Sequence, residues 1–107
     1  IINKYLSTNF RRTPNSGGLS FKGDIIDIDS SNPLYDFHIE IKNTNSLQIP
    51  KWMEQIERDM PLGKTGLLIA KLKGSWYSWL GLEDFLYLIS QIMELQEKVR
   101  TYEEKHH

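Results

Sequence analysis

Asp24, Glu40 and Lys42 are the residues of this chain whose types and spacing could do chemistry together. Glu40 and Lys42 lie two apart in the alternating string Phe37-His-Ile-Glu-Ile-Lys42. On a strand both side chains leave the same face, roughly 6–7 Å apart, and Phe37, Ile39 and Ile41 take the other face. Asp24 opens a second strand-forming segment, residues 24–29. If the two segments pair as a hairpin, Asp24 comes within reach of Glu40. Two converging carboxylates hold a hard divalent cation, which prefers oxygen ligands, and the Ile41 carbonyl is a third candidate ligand. Lys42 beside the cation can orient or help deprotonate a water, or stabilise charge developing at phosphorus. A cation, an activated water and a lysine suit phosphodiester hydrolysis. The spacing by itself is degenerate, since many strands carry Glu and Lys on a polar face only for solvation.

Neighbouring residues are weighed the same way. His38 shares the face of Glu40 and Lys42 and either sits at the rim of the site or, the preferred reading, is simply a solvated strand residue. Asp27 alternates to the opposite face and becomes a second ligand only if the strand bulges. Asp29 and Asp36 read as turn acids. Gly17-Gly18 offers backbone amides to a phosphate, or is simply a flexible loop. Lys22, beside Gly23-Asp24, is placed for a phosphate contact. Among the tryptophans, Trp52 reads as core. Trp76 shares a strand face with Ser78 and Leu80, and Trp79 shares the other with Tyr77. At least one of those faces should be buried, which disfavours a base-stacking platform.

These residues need elements to position them. Residues 1–9 read as the last turns of a helix, 10–13 as a short strand, and 14–18 as a loop on its Asn, Ser and Gly content. Residues 24–29 and 37–42 read as the hairpin, joined through a turn at 30–33. Residues 50–60 read as a helix with Pro50 at its first position and Trp52, Met53, Ile56 and Met60 on its apolar face. Residues 66–72 form a mostly apolar, buried strand, Gly74-Ser75 a tight turn, and 76–80 another strand. Residues 82 to about 100 form a long amphipathic helix with Glu83 and Asp84 in its first turn, where the helix dipole favours acids. Its stripe of Leu82, Phe85, Leu86, Ile89, Ile92, Met93 and Val99 should pack on the sheet in its early turns and reach a partner in its late ones. The fold class is therefore mixed α/β (α+β): a central mixed sheet of about four to five strands flanked by helices.

Composition sets the outer limits. The 107 residues suit one domain, taken as residues 1–105, and leave no room for a separate cofactor lobe. His106 and His107 read as the start of a purification tag. A chain 39% hydrophobic and 25% charged is globular rather than disordered. With no cysteine there is no disulfide, zinc–thiolate site or thiol catalysis. No apolar run approaches a membrane span and no signal segment opens the chain, so a soluble, cytoplasmic protein without a membrane partner is expected. Residues 1–73 hold ten Lys/Arg against eight Asp/Glu, and residues 74–107 hold three against six. Three of the eight acids are Asp24, Asp27 and Asp29; if some of them bind metal, the rest of the first part is basic and permits a polyanion partner, although on charge alone an ordinary mixed surface is the preferred reading.

The order and spacing of several strings resemble the PD-(D/E)XK nuclease superfamily, and within it the archaeal and phage Holliday junction resolvases. The matching residues are Arg12-x-Pro14-x-Ser16-Gly17-Gly18, Gly23-Asp24-Ile-Ile, Phe37-x-Ile39-Glu40-Ile41-Lys42-Asn-Thr44 and Ile49-Pro50-Lys51. Gly23 stands where the family usually has proline. Residues 1–9 lack the metal-binding glutamate that resolvases often carry on their first helix. The resemblance covers roughly residues 1–80 and implies a restriction-endonuclease-like core. It implies Asp24 and Glu40 as ligands of Mg²⁺ (or Mn²⁺) and Lys42 as the catalytic lysine. It also implies Ser16 near the scissile phosphate, Arg12 on the DNA backbone, and a polar residue of the following helix completing the site. Gln55 is the candidate for that last role, with Gln48 and Lys51 behind it. The DNA-contacting set is then Arg12, Ser16, Gly17, Lys22 and Lys51.

The function implied is a metal-dependent endonuclease acting on branched or duplex DNA, a phage or prophage junction resolvase. It would work as a homodimer, because a resolvase cuts two opposed strands. The alternative is a non-catalytic DNA-binding module of the same fold, which would not need Asp24 and Glu40 for affinity. A third reading is an interaction domain that dimerises through its last helix, without salt-dependent DNA binding.

Overall fold

A computed structural model describes residues 2–6, 11–12, 25–26, 28–43 and 46–106. In chain order the elements are α1 (Ile2–Leu6), β1 (Arg11–Arg12), β2 (Ile25–Ile26), a 3₁₀ turn (Pro33–Asp36), β3 (Phe37–Lys42), α2 (Ile49–Asp59), β4 (Thr65–Leu72), β5 (Ser75–Trp79) and α3 (Leu82–Lys105). Apart from the 3₁₀ turn, this is the order expected from the sequence.

The sheet is smaller than the four to five strands expected. Among the described residues it is a mixed three-stranded sheet in the order β3-β4-β5, with β1 and β2 forming a separate antiparallel ladder. The expected hairpin between residues 24–29 and 37–42 is not found there either. The ladder partner of β2 is β1, with Arg11 opposite Ile26 and Arg12 opposite Ile25. The stretch before β3 is given to local hydrogen bonds rather than to a ladder. The Ser31 N–H donates to Asp29 Oδ1 at 3.0 Å, and the Leu34 N–H donates to Asn32 Oδ1 at 2.9 Å. These are side-chain-capped turns of the kind Asp and Asn favour. Asp29 is thus a turn acid, as expected. Lys64 joins this segment to the loop before β4, donating to the Tyr35 carbonyl and lying over the Tyr35 ring.

β3 and β4 run parallel, so a helix must cross between them, and α2 does so. α2 starts at Ile49, which puts Pro50 at its second position rather than its first, still inside the first turn where a missing N–H costs nothing. Trp52 and Ile56 of α2 are buried against Leu68 and Ala70 of β4, with Ile49, Met53 and Trp79 around them. Gly66 makes this approach possible: a Cβ there would stand 2.5 Å from Ile56 Cγ2. The turn between β4 and β5 is Lys73-Gly74 rather than Gly74-Ser75. Both have positive φ, 50° and 82°, and Leu72 pairs with Ser75 across them. Two such residues make the hairpin turn whose twist matches its strands.

α3 runs 24 residues, five beyond the expected end at Arg100. Its early turns do not pack on the sheet. Leu82 is 70% exposed and Phe85 48%, and no residue of the helix is buried. The periodic stripe is present, but periodicity states only that a face is apolar, not what covers it. Part of α3 lines an open groove against residues 30–36, with Leu88, Ile92 and Leu95 on the helix side. The molecule extends 55 Å along its longest axis. Its radius of gyration is 16.6 Å, against about 13 Å for a compact chain of 100 residues. No helix of the described residues is long and apolar enough to cross a membrane.

Candidate nuclease site

The parallel register fixes what β3 presents. His38 pairs with Gly66, Glu40 with Leu68 and Lys42 with Ala70. Paired residues share a sheet face, so His38, Glu40 and Lys42 lie on the face that α2 covers. The polar face of β3 is therefore an inner one. Glu40 is 7% exposed and His38 4%. His38 is not the solvated strand residue its sequence suggests, because α2 shields the strand from water. Its Nε2 stands 3.4 Å from Glu40 Oε1 and is a buried nitrogen without a hydrogen-bond partner among the described residues.

Lys42 lies further along the same face. Its Nζ donates to Gln55 Oε1 at 3.5 Å and lies 6.0 Å from the centroid of the Trp52 ring. Both contacts come from consecutive turns of α2, so one helix holds the ammonium with a neutral amide and an aromatic face. Neither of these two partners carries a negative charge. Of the helix candidates, Gln55 is the one the structure brings to Lys42. Lys51 lies one turn earlier on the same side of α2 and is exposed. Gln48 is at the helix N-cap and makes no side-chain capping bond. Ile41 sits in β3 between Glu40 and Lys42, its side chain on the opposite sheet face.

Asp24, Ser16, Gly17, Lys22, Asp27 and Thr44 lie outside the described residues. Arg12 is placed by its backbone, opposite Ile25, the residue after Asp24 in sequence. Among the described residues no three His, Asp or Glu side chains converge. A buried carboxylate and a buried imidazole nitrogen side by side are nonetheless a donor set that fits a divalent cation. His38 is the site-facing residue that strand alternation places correctly and undervalues. The signal for its burial lies in Gly66-x-Leu68-x-Ala70, whose small and apolar side chains mark the face a helix must cover.

Trp52 is buried as expected, and Trp79 packs beside it. Trp76 is on the other face with Lys71 over its ring, so the tryptophans form no shared platform.

No curated protein and no solved structure gives a significant match to this sequence. A protein family described as "Phage putative PDDEXK endonuclease" matches it over residues 1–107. PD-(D/E)XK nucleases generally use divalent metals, and the face carrying Glu40, Lys42 and Gln55 suits that chemistry. The chain belongs to this phage PDDEXK endonuclease family.

Proposed function

We propose that the protein is a metal-dependent endonuclease hydrolysing phosphodiester bonds in DNA, with branched DNA such as a four-way junction as its substrate. The observation that carries the catalytic part is Lys42 held by Gln55 on the strand face that also bears the buried Glu40. The branched substrate rests on the resolvase-like strings around Ser16, Asp24 and Glu40.

Asp24 and Glu40, with the Ile41 carbonyl, would hold Mg²⁺ or Mn²⁺. When bound, the ion supplies charge for the phosphate and lowers the pKa of a water. Lys42 orients that water or steadies charge on the phosphate oxygens through its Nζ, and Gln55 keeps the flexible ammonium in place. Arg12, Ser16, Gly17, Lys22 and Lys51 contact the DNA backbone and set its register against the site.

The working unit is a homodimer joined through α3. Leu82, Phe85, Ile89, Ile92 and Val99 repeat at alternating spacings of three and four, with Gln96 in the same series. That is a two-helix seam with one polar residue of the kind that sets register. Residues 82–94 carry three acids and no Lys or Arg, whereas residues 97–105 carry three Lys/Arg and three acids. An antiparallel pair opposes the acidic half of each copy to the cation-bearing half of the other and opposes the helix dipoles. Its two-fold axis presents two sites to two strands.

The test is cleavage of labelled duplex, flap, single-stranded and four-way-junction DNA with Mg²⁺, Mn²⁺ or chelator. Paired cuts in the junction, abolished by chelator, are the expected result. Cutting of every form would keep the nuclease and discard the junction. Salt-sensitive binding without cutting would favour the non-catalytic module.

A further inference from the structure

We infer that His38 is a ligand of the metal held by Glu40, so that the site takes a nitrogen donor and favours Co²⁺, Zn²⁺ or Fe²⁺ over Mg²⁺. This rests on the reading of Glu40 as a metal-binding residue and extends it.

Three observations carry the assignment. The first is burial without a hydrogen bond. At 4% exposure, His38 is shielded from solvent, and its Nε2, although at ion-pair distance from Glu40 Oε1, makes no hydrogen bond among the described residues, a state that native structures avoid unless something else occupies the atom. The second is direction. His38 and Glu40 are two apart on β3 and share its face, yet their side chains converge until Nε2 stands 3.4 Å from Oε1. The third is distance. Two ligands of one ion, each bonded at about 2.1 Å, stand roughly 3.0 Å apart at a right angle and roughly 3.4 Å apart at the tetrahedral angle. The observed separation lies within the range that a shared ion imposes.

An imidazole changes which ion the site prefers. Carboxylates, carbonyls and water suit Mg²⁺, and imidazole suits the later divalent ions of the first transition row. His38 also lies opposite Gly66, where Ile56 and Met60 of α2 close over the strand. The nitrogen is thus hidden from bulk water and faces Glu40 Oε1.

The experiment uses the full chain with His106→Ala and His107→Ala, which leaves His38 as its one histidine of three. Binding of Co²⁺ and of Mg²⁺ is measured by titration calorimetry on this protein and on its His38→Gln and Glu40→Gln derivatives. We expect Co²⁺ to bind more tightly than Mg²⁺. His38→Gln should weaken Co²⁺ at least tenfold with little change for Mg²⁺, and Glu40→Gln should weaken both. If His38→Gln leaves both affinities unchanged while Glu40→Gln weakens them, His38 is not a ligand and the Glu40 site stands. If Glu40→Gln also changes neither, the metal-site reading itself fails. A second measurement needs no variant at His38. In the Co²⁺-loaded protein, a hyperfine-shifted imidazole N–H resonance is expected, and its absence at saturating Co²⁺ would overturn the assignment.

Discussion

Helix α2 buries Trp52 and Ile56 against β4 within 11 residues, whereas α3, at 24 residues, buries none. Both helices are amphipathic, α2 more sharply than α3, and their places in the chain differ too. α2 is closed on both sides by the parallel strands it connects, which brings its apolar face onto Leu68 and Ala70 and its Gln55 onto Lys42. α3 comes after the last strand and has no such constraint. Among the described residues its hydrogen bonds and ion pairs are local. Glu83 and Asp84 lie in its first turn, and Arg100 pairs with Glu97 and Glu104 at 2.6 and 3.8 Å. The His106 ring stacks on Tyr102, and its Nδ1 lies 2.8 Å from the Tyr102 carbonyl. Such exposed pairs contribute a few tenths of a kcal/mol each. In this chain, then, the helix next to the candidate site is held by tertiary packing. The helix away from it carries an apolar face larger than isolated residues explain, the usual mark of an interaction surface.

The sharpest way to test that contrast is the same truncation in both places. Ile56→Ala should lower folding stability by about 2–5 kcal/mol, because Ile56 is 1% exposed and fills the α2–β4 contact. Ile92→Ala, measured in dilute protein where any pair has dissociated, should change it by less than about 0.5 kcal/mol. Equal effects in urea unfolding would erase the distinction between the regions. Ile89→Asp addresses the other side of it. It should weaken self-association on the order of 100-fold in sedimentation equilibrium while the monomer's circular dichroism is retained, since it places a charge in an apolar seam. A smaller effect is expected from Gly66→Ala. Its new methyl would press on Ile56 Cγ2 and should cost about 1–3 kcal/mol in urea unfolding.

The smallest effect concerns pH. The Ser31 backbone N–H and hydroxyl hold the Asp29 carboxyl below its ordinary range. A carboxyl whose pKa is depressed on folding stabilises the fold above its unfolded value and loses that contribution as pH falls through the folded one. Wild type should therefore exceed Asp29→Ala slightly near neutral pH, and the gap in thermal unfolding should close below about pH 4.

Much of this is legible in the sequence because short periods report local geometry. The alternation of residues 37–42 gives the strand and the shared face of His38, Glu40 and Lys42, and the pattern after it gives α2 to within a residue at each end. Gln55 is identifiable because the family resemblance calls for a polar residue on that helix. The features that escape such a reading are long-range or depend on a neighbour. Alternation cannot say that the polar face of β3 is the covered one, so His38 reads as a surface residue although it is buried. Residues 24–29 carry no mark of which neighbouring segment they pair with, the earlier or the later, and β2 pairs with the earlier β1. The β4–β5 turn reads one residue too late because Lys73 at φ 50° is an uncommon choice for a left-handed position. The stripe of α3 is plain in the sequence, whereas its standing clear of the sheet is not.

That β3 and α2 together form one catalytic face is tested most directly by single-turnover cleavage of DNA in Mn²⁺ by wild type, Lys42→Ala, Gln55→Ala and the double variant. A loss of about 10²–10⁴-fold is expected for Lys42→Ala. Gln55→Ala should lose about tenfold, and the double variant should be no worse than Lys42→Ala, because Gln55 acts through Lys42. Cleavage by Lys42→Ala at the wild-type rate, in a protein with unchanged circular dichroism, would contradict a shared catalytic face.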